Sequence, residues 1–457
     1  MSTGVFIVND NAITLGDESG LILSSPGYVV VVDKQILFGD EAARLNRIHP
    51  VNASNEFWYR LSMDPLSRPL AHFRHTADIV HAHLLHMAQA ADVDGEIILA
   101  VPASYNRQQL AILLGLFKQS PFQVVGLVDS ALLGAAAQKQ HGGTDSLLVM
   151  EQHLHQTLLT RCEQPGNELK SESLVQVPDT GWAACTDSLV QLLTDTFIQQ
   201  SRFNPQHSAQ WEQHLYDVLP AWLQQNDDAE NTLLLEIATD KSTHQAKLTR
   251  ASLAARLRPL YQKIHQHLPR ADADLSRVLL SEQLDVLPGI HELVHNAAAQ
   301  PPLAIANKDM IETALALQSQ LQQSGQGLQF TRRLDLGDRE AFGLTAATGA
   351  QQATTQNRAP SHVLLGHEAW PLRDGLILAL DEDGSQLRVN GSAGKASTQL
   401  ARLEETQQGG MVLRQVEAGL LLNGQPLSEA RELEIGDRLS YRDQPQALEL
   451  IKVRDGA

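Results

Sequence analysis

Residues 96–137, "EIILAVPASYNRQQLAILLGLFKQSPFQVVGLVDSALLGAAA", constrain this chain more than any other stretch. "EIILAV" is a continuous apolar run of strand length, and "NRQQLAILLGLFKQ" carries Leu110, Leu113, Leu114 and Phe117 at helical spacing behind a possible cap at Asn106. "FQVVGLV" repeats the strand signal and "DSALLGAAAQKQ" the helical one. Two buried strands joined through a helix of this length pair in parallel with a right-handed crossover, which predicts an α/β fold.

Upstream, "GVFIV", "AITLG", "LILSS", "YVVVVD" and "QILFGDEAARL" are β-branched runs bounded by Gly, Asp, Asn or Pro and read as a meander. Residues 76–91 hold a helical stripe of Ile79, Val80, Leu84, Leu85 and Met87. Downstream the pattern restarts. "SLLVMEQHLHQTLLTRC" gives one or two strands, "LKSESLVQVPDTG" another, and residues 183–265 are largely helical around a strand "TLLLEIA". "RVLLSEQLDVLPGIHELV" returns to strand–turn–helix, and "KDMIETALALQSQLQQ" closes with a helix. Two βα lobes in succession, residues 1–140 and 141–325, suggest a duplicated architecture. Residues 326–360 have linker composition, as in "TAATGAQQATTQNRAPS". Residues 361–457 become short strands with turns at Asp383-Gly384, Gly409-Gly410, Asn423-Gly424 and Gly436-Asp437, the pattern of a small all-β sandwich.

The net charge of −18, with no Lys/Arg block, excludes general nucleic-acid binding. The first residues lack the features of a signal peptide, and the apolar runs are too short to span a bilayer. The expectation is a cytoplasmic protein without membrane insertion. Cys162 and Cys185 form no disulfide framework or metal-ligand spacing and read as small buried residues.

Val101-Pro102-Ala103 and Tyr105-Asn106, followed by the helix, the second strand and Asp129, resemble the connecting segment of the DnaK-type heat-shock chaperones, in the actin-like ATPase superfamily. "VVVDKQILFGDEAARLNRIHP", "LTRASLAARLRPL" and "VLLSEQLDVLPGI" resemble further pieces of that family in the same order, covering about residues 4–320. The resemblance implies a two-lobed actin/DnaK-like (ribonuclease-H-like) ATPase fold with ATP and magnesium held between glycine hairpins. The grips differ here. The family's Asp-x-Gly-Thr hairpin becomes "FIVNDNAIT", placing Asn9, Asp10 and Asn11 at its tip. Its Asp-x-Gly-Gly-Gly becomes "MEQHLHQ", with Glu151, Gln152, His153 and Leu154. Its adenine-side Gly-Gly is Ser281-Glu282, its catalytic Lys is Tyr59, and its Lys-bearing helix is "LYDVLPAWLQQ" with Pro220. A Cβ at a phosphate hairpin blocks the close backbone approach of a phosphate. The C-terminal stretch resembles a forkhead-associated domain: Ser397 and Asn423 match phosphopeptide-gripping positions, whereas both of that family's arginines are replaced.

The expected function is therefore a non-catalytic pseudo-ATPase acting as a protein-interaction scaffold, with protein partners and no cofactor. The alternatives are a divergent chaperone using ATP with magnesium, and a filament-forming protein. Asp129 is a candidate general base, weighed against a helix N-cap. Glu151, His153 and His155 alternate along a strand and form a candidate metal trio, weighed against polar filling of a cleft. The histidines at 72, 75, 81, 83 and 86 are expected on a solvated or half-buried face.

Overall fold

A computed structural model of the chain describes residues 3–138, 146–224, 232–239, 242–268, 275–295, 297–323 and 328–336. Beyond them it describes residues 362–365, 368–371, 377–380, 387–390, 399–405, 411–414, 419–422, 425–426, 431–433, 438–441 and 447–451. Two compact units result, Met1–Ala346 and Ala347–Ala457.

The first unit is mixed α/β and built on two main sheets. Strands β1 (Gly4–Ile7), β2 (Ile13–Asp17), β3 (Gly20–Ser25), β4 (Gly95–Val101) and β5 (Phe122–Asp129) lie in the order β3-β2-β1-β4-β5. β1 is antiparallel to β2 and parallel to β4, with Val5 opposite Ile98, and β4 runs parallel to β5. The second sheet repeats this plan with β6 (Ser146–Gln152), β7 (Gln156–Glu163), β8 (Glu168–Pro178), β9 (Arg277–Ser281) and β10 (Leu303–Ile305), in the order β8-β7-β6-β9-β10. β6 is antiparallel to β7 and parallel to β9. In both sheets the central strand is buried throughout, which is why "GVFI" and "SLLVM" are apolar without alternation.

Between the sheets runs the alanine-rich helix Ser130–Gln138, buried from Ser130 to Ala137. Its small side chains let it pack against Val5, Ile98 and Val128 of the first sheet and Leu147, Val149 and Leu279 of the second. The helix Asn307–Ala316 joins the same core through Met310, Ile311 and Ala314. Each sheet has a further core on its other face. In the first, Phe6 meets Phe117 edge-on at 5.1 Å; in the second, the helices Trp182–Ser201, Ala209–Leu223 and Arg250–His265 cover β6 and β9.

The helix Arg107–Phe117 begins at Asn106, whose side chain accepts from Gln109 N while Gln109 bonds back, so the anticipated cap is present. Gly126 sits at a register break in β5, and a Cβ there would lie 2.5 Å from Leu321 O. That absence lets the chain cross close enough for Gln323 N to donate to Val125 O.

Several expectations need correction. The N-terminal meander splits: Val29–Val32 and Gln35–Phe38 leave the first sheet and pair in a separate one with Ala53–Ser54. The break falls at Pro26-Gly27, where Gly27 N bonds Asp10 O and turns the chain away. Within the helical section, Thr243–Thr249 is a strand paired with Thr232–Ala238. Part of the expected linker pairs with the first unit. Arg333–Asp335 adds a strand to β8, with Leu334 opposite Leu169 and 2% exposed, and Thr331 exchanges bonds with Leu127 and Asp129.

Among the described residues, the second unit holds two antiparallel sheets of six and five strands, with Leu400, Leu413, Leu420 and Leu448 buried. Its four expected turns lie outside the described residues.

Candidate functional site: two hairpins bonded across a cleft

The hairpin tips β1–β2 and β6–β7 stand opposite each other at the same ends of their two sheets. The first carries Asn9, Asp10 and Asn11, the second His153, Leu154 and His155. They touch. Asn9 Nδ2 donates to Gln152 O at 3.2 Å. Asp10 Oδ1 accepts from Leu154 N at 2.8 Å and pairs with His153 Nδ1 at 3.1 Å. Asp10 and His153 are both buried. Asn11 N turns inward onto Asn9 Oδ1.

The second tip is held from behind. His153 O and Leu154 O accept from Trp182 N and Ala183 N, the start of the helix Trp182–Ser201. Gly181 precedes that helix, and a Cβ on it would sit 2.4 Å from Leu154 O and 2.5 Å from the amides of His155 and Gln156. Gln152 is locked by Ser281 Oγ, which accepts its amide at 3.0 Å, and by Thr157 and Thr180 around its side chain.

Glu151 turns to the connecting helix, where Ser130 Oγ donates to Oε1 at 2.6 Å. Burial raises the Glu151 carboxyl above its ordinary range, against the opposing effects of His153 and Ser130. Burial pulls the His153 imidazole the other way, but its hydrogen bond and attraction to Asp10, reinforced by Glu151, raise it above the ordinary histidine value. Glu151 Oε2 and His153 Nε2 are buried with no hydrogen-bond partner among the described residues.

The metal trio is not brought together. β6 ends at Gln152, so strand alternation stops before His153. His153 goes to Asp10, His155 Nε2 to Asn55 O at 3.0 Å, and Glu151 to Ser130. No cluster of three ligating side chains occurs among the described residues. Asp129 is fully buried at the end of β5, with Oδ1 accepting from Ala131 N at 3.1 Å, the bond a helix cap makes. Its carboxyl is raised by burial, with Arg332 opposing from 3.8 Å. Arg332 was not visible as a site residue, because it lies in a segment of linker composition. Ser397 and Asn423 lie outside the described residues.

A cleft of about 630 Å³ lies beside the hairpins, with Asn11 and Glu282 in its wall. Its charged lining is Asp40, Asp217, Glu282 and Asp285 against Arg47. Burial raises the Glu282 carboxyl. Arg47 is already engaged: it pairs with Asp187 and lies 4.2 Å from the Tyr216 ring centroid. Gln213, which the sequence did not single out, crosses the cleft, accepting from Arg47 N at 2.8 Å and donating to Ala43 O at 3.1 Å. Pro220 lies inside the helix Ala209–Leu223 and lines this cleft. Tyr59 packs its ring against His155, with centroids 5.5 Å apart.

Of the histidine cluster, His83 departs from expectation. It is fully buried, taking Trp58 Nε1 on Nδ1 at 3.0 Å and facing Ser25 Oγ through Nε2 at 2.8 Å. Cys162 and Cys185 are both buried and not joined in a disulfide, and burial pushes the Cys185 thiol up to about 12. Among the described residues, no helix is long and apolar enough to cross a membrane. A scan against protein-family models finds no match for the chain, and a search of the curated proteins finds no relative.

Proposed function

We propose that the first unit is a two-lobed actin/DnaK-like domain that no longer takes nucleotide and serves as a protein-interaction scaffold. The repeated strand order and the two helices between the sheets support the fold reading. The observation that carries the functional reading is the direct bonding of the hairpin tips through Asn9, Asp10, His153 and Leu154. A phosphate cradle needs free backbone N–H groups turned toward the anion. Here Leu154 N is taken by Asp10 and His153 N by Gln156 O. The neighbouring cleft sets four carboxylates against an arginine that is already paired, so it opposes a polyanion.

Thermal denaturation with and without millimolar ATP and magnesium tests the proposal. The expected result is an unchanged melting temperature, whereas ligand at a hundredfold excess over its Kd adds about 2.7 kcal/mol. A shift of several degrees that disappears in Asp10→Asn overturns it and favours an ATP-using chaperone.

A further inference from the structure

The hairpin of Thr232–Ala238 and Thr243–Thr249 is a two-stranded sheet with two different edges. On the outer edge of Thr243–Thr249, Gln200 stands in for a third strand: its Nε2 donates to Lys247 O at 2.9 Å and its Oε1 accepts from Lys247 N at 2.8 Å. Lys247 therefore turns its backbone groups away from Leu234, its partner across the hairpin, and in an antiparallel ladder the partner of such a residue does the same. Thr232, Leu234, Glu236 and Ala238 consequently present their amides and carbonyls on the opposite edge. Among the described residues, no strand or side chain bonds them there.

That edge lacks the devices that keep strand edges apart. "TLLLEIA" holds no Pro and no Lys, its ladder has no bulge, and Leu234 is 51% exposed. Leu233, Leu235 and Ile237 anchor the strand to the helical core through its other face. The edge is also complementary to itself. Antiparallel pairing with the same strand of a second copy, about a two-fold axis at Leu235, uses its full length. Each Leu235 then faces the other, and each Leu234 faces the second copy's Glu236, so no like charges stand directly opposite. Lys247 lies beside Leu234 on the exposed face, two strand spacings or about 10 Å from that Glu236 and within reach of the two long side chains.

We propose that Thr232–Ala238 is a homodimer contact, at which two copies of this chain join their hairpins into one four-stranded antiparallel sheet. Two short strand edges bury less than the roughly 1,200 Å² of a standard interface, so the dimer is a reversible one. The charge of −18 on each copy opposes it, and salt should strengthen it. The inference does not depend on whether nucleotide binds in the cleft.

Sedimentation velocity of the full chain from about 2 to 200 µM tests it. The expected result is a monomer–dimer equilibrium that stops at two copies and tightens as salt is added. Leu234→Pro removes an outward N–H that the hairpin does not use, and should abolish the dimer. Leu234→Glu sets carboxylates opposite each other twice per dimer and should weaken it about tenfold, whereas Leu234→Lys, facing Glu236 of the second copy, should hold or tighten it. Unchanged melting of the dilute variants shows that each folds; if Leu234→Pro does not, the contrast between Glu and Lys still decides. Three results overturn the proposal: a parent chain that is monomeric throughout, a dimer unmoved by Leu234→Glu, or equal weakening by Leu234→Glu and Leu234→Lys.

Discussion

One oxygen of Asp10 takes two donors from the opposite hairpin, a backbone amide and an imidazole. Removing it strands both in a buried site. Asp10→Ala should therefore lower unfolding free energy by about 3–5 kcal/mol in urea titrations. Asp10→Asn, which keeps an acceptor for Leu154 N, should cost less. The pair also has a pH signature. His153 is raised in the folded state, so its contribution is complete below the unfolded value near 6.5 and is lost as pH rises through the folded one. His83 works in the opposite sense. Burial, with a smaller effect of His86, pushes it down to about 3. Trp58 Nε1 donates to its Nδ1, so the neutral ring carries its proton on Nε2 toward Ser25. Its contribution is complete above about 6.5 and is lost as pH falls toward 3, a difference on the order of 4 kcal/mol. Stability measured from pH 7 to 4 should fall less steeply in His83→Gln than in the parent.

At the scale of elements, the second hairpin depends on a residue outside it. Gly181→Ala would drive a Cβ into the backbone of residues 154–156, which cannot yield as a flexible side chain would. A loss of about 1–3 kcal/mol or more, seen as a lowered melting temperature, is expected. The same hairpin shows where sequence reading stops. Alternation placed Glu151, His153 and His155 on one face, but period two holds only while a strand continues, and β6 stops at Gln152. The cap at Asn106 was legible because its determinants lie within four residues. The strand Thr243–Thr249 was not, since Ala246 and Leu248 are its buried apolar side chains and its partner supplies the rest of the pattern. That Asp10 would find Leu154, 144 positions away, has no local signal at all.

For the whole molecule, the repeat of strands and helices was readable because each half carries its own apolar runs. The end of the first unit was not, because Leu334 stands among polar residues and gains its meaning only opposite Leu169. A chain ending at residue 346 should therefore fold as the first unit does, whereas one ending at 325 should melt lower. The shorter chain loses the buried Leu334, the Thr331 bonds to Leu127 and Asp129, and the Arg332 charge beside Asp129. Matched thermal scans of the two fragments check this.

The amide of Leu154 donates to a side chain of the other half of the unit, not to a neighbouring strand. In deuterated solvent it is therefore a clock for a different event from the amides around it. Met150 N and Val149 N, in the middle of β6, exchange only when a sheet comes apart, while Leu154 N exchanges each time the two halves separate at the hairpins. Its exchange should outpace that of both strand amides, and its rate relative to that of an unprotected amide gives the free energy of parting the halves without unfolding either. Asp10→Asn should speed the Leu154 amide while leaving the strand amides nearly unchanged.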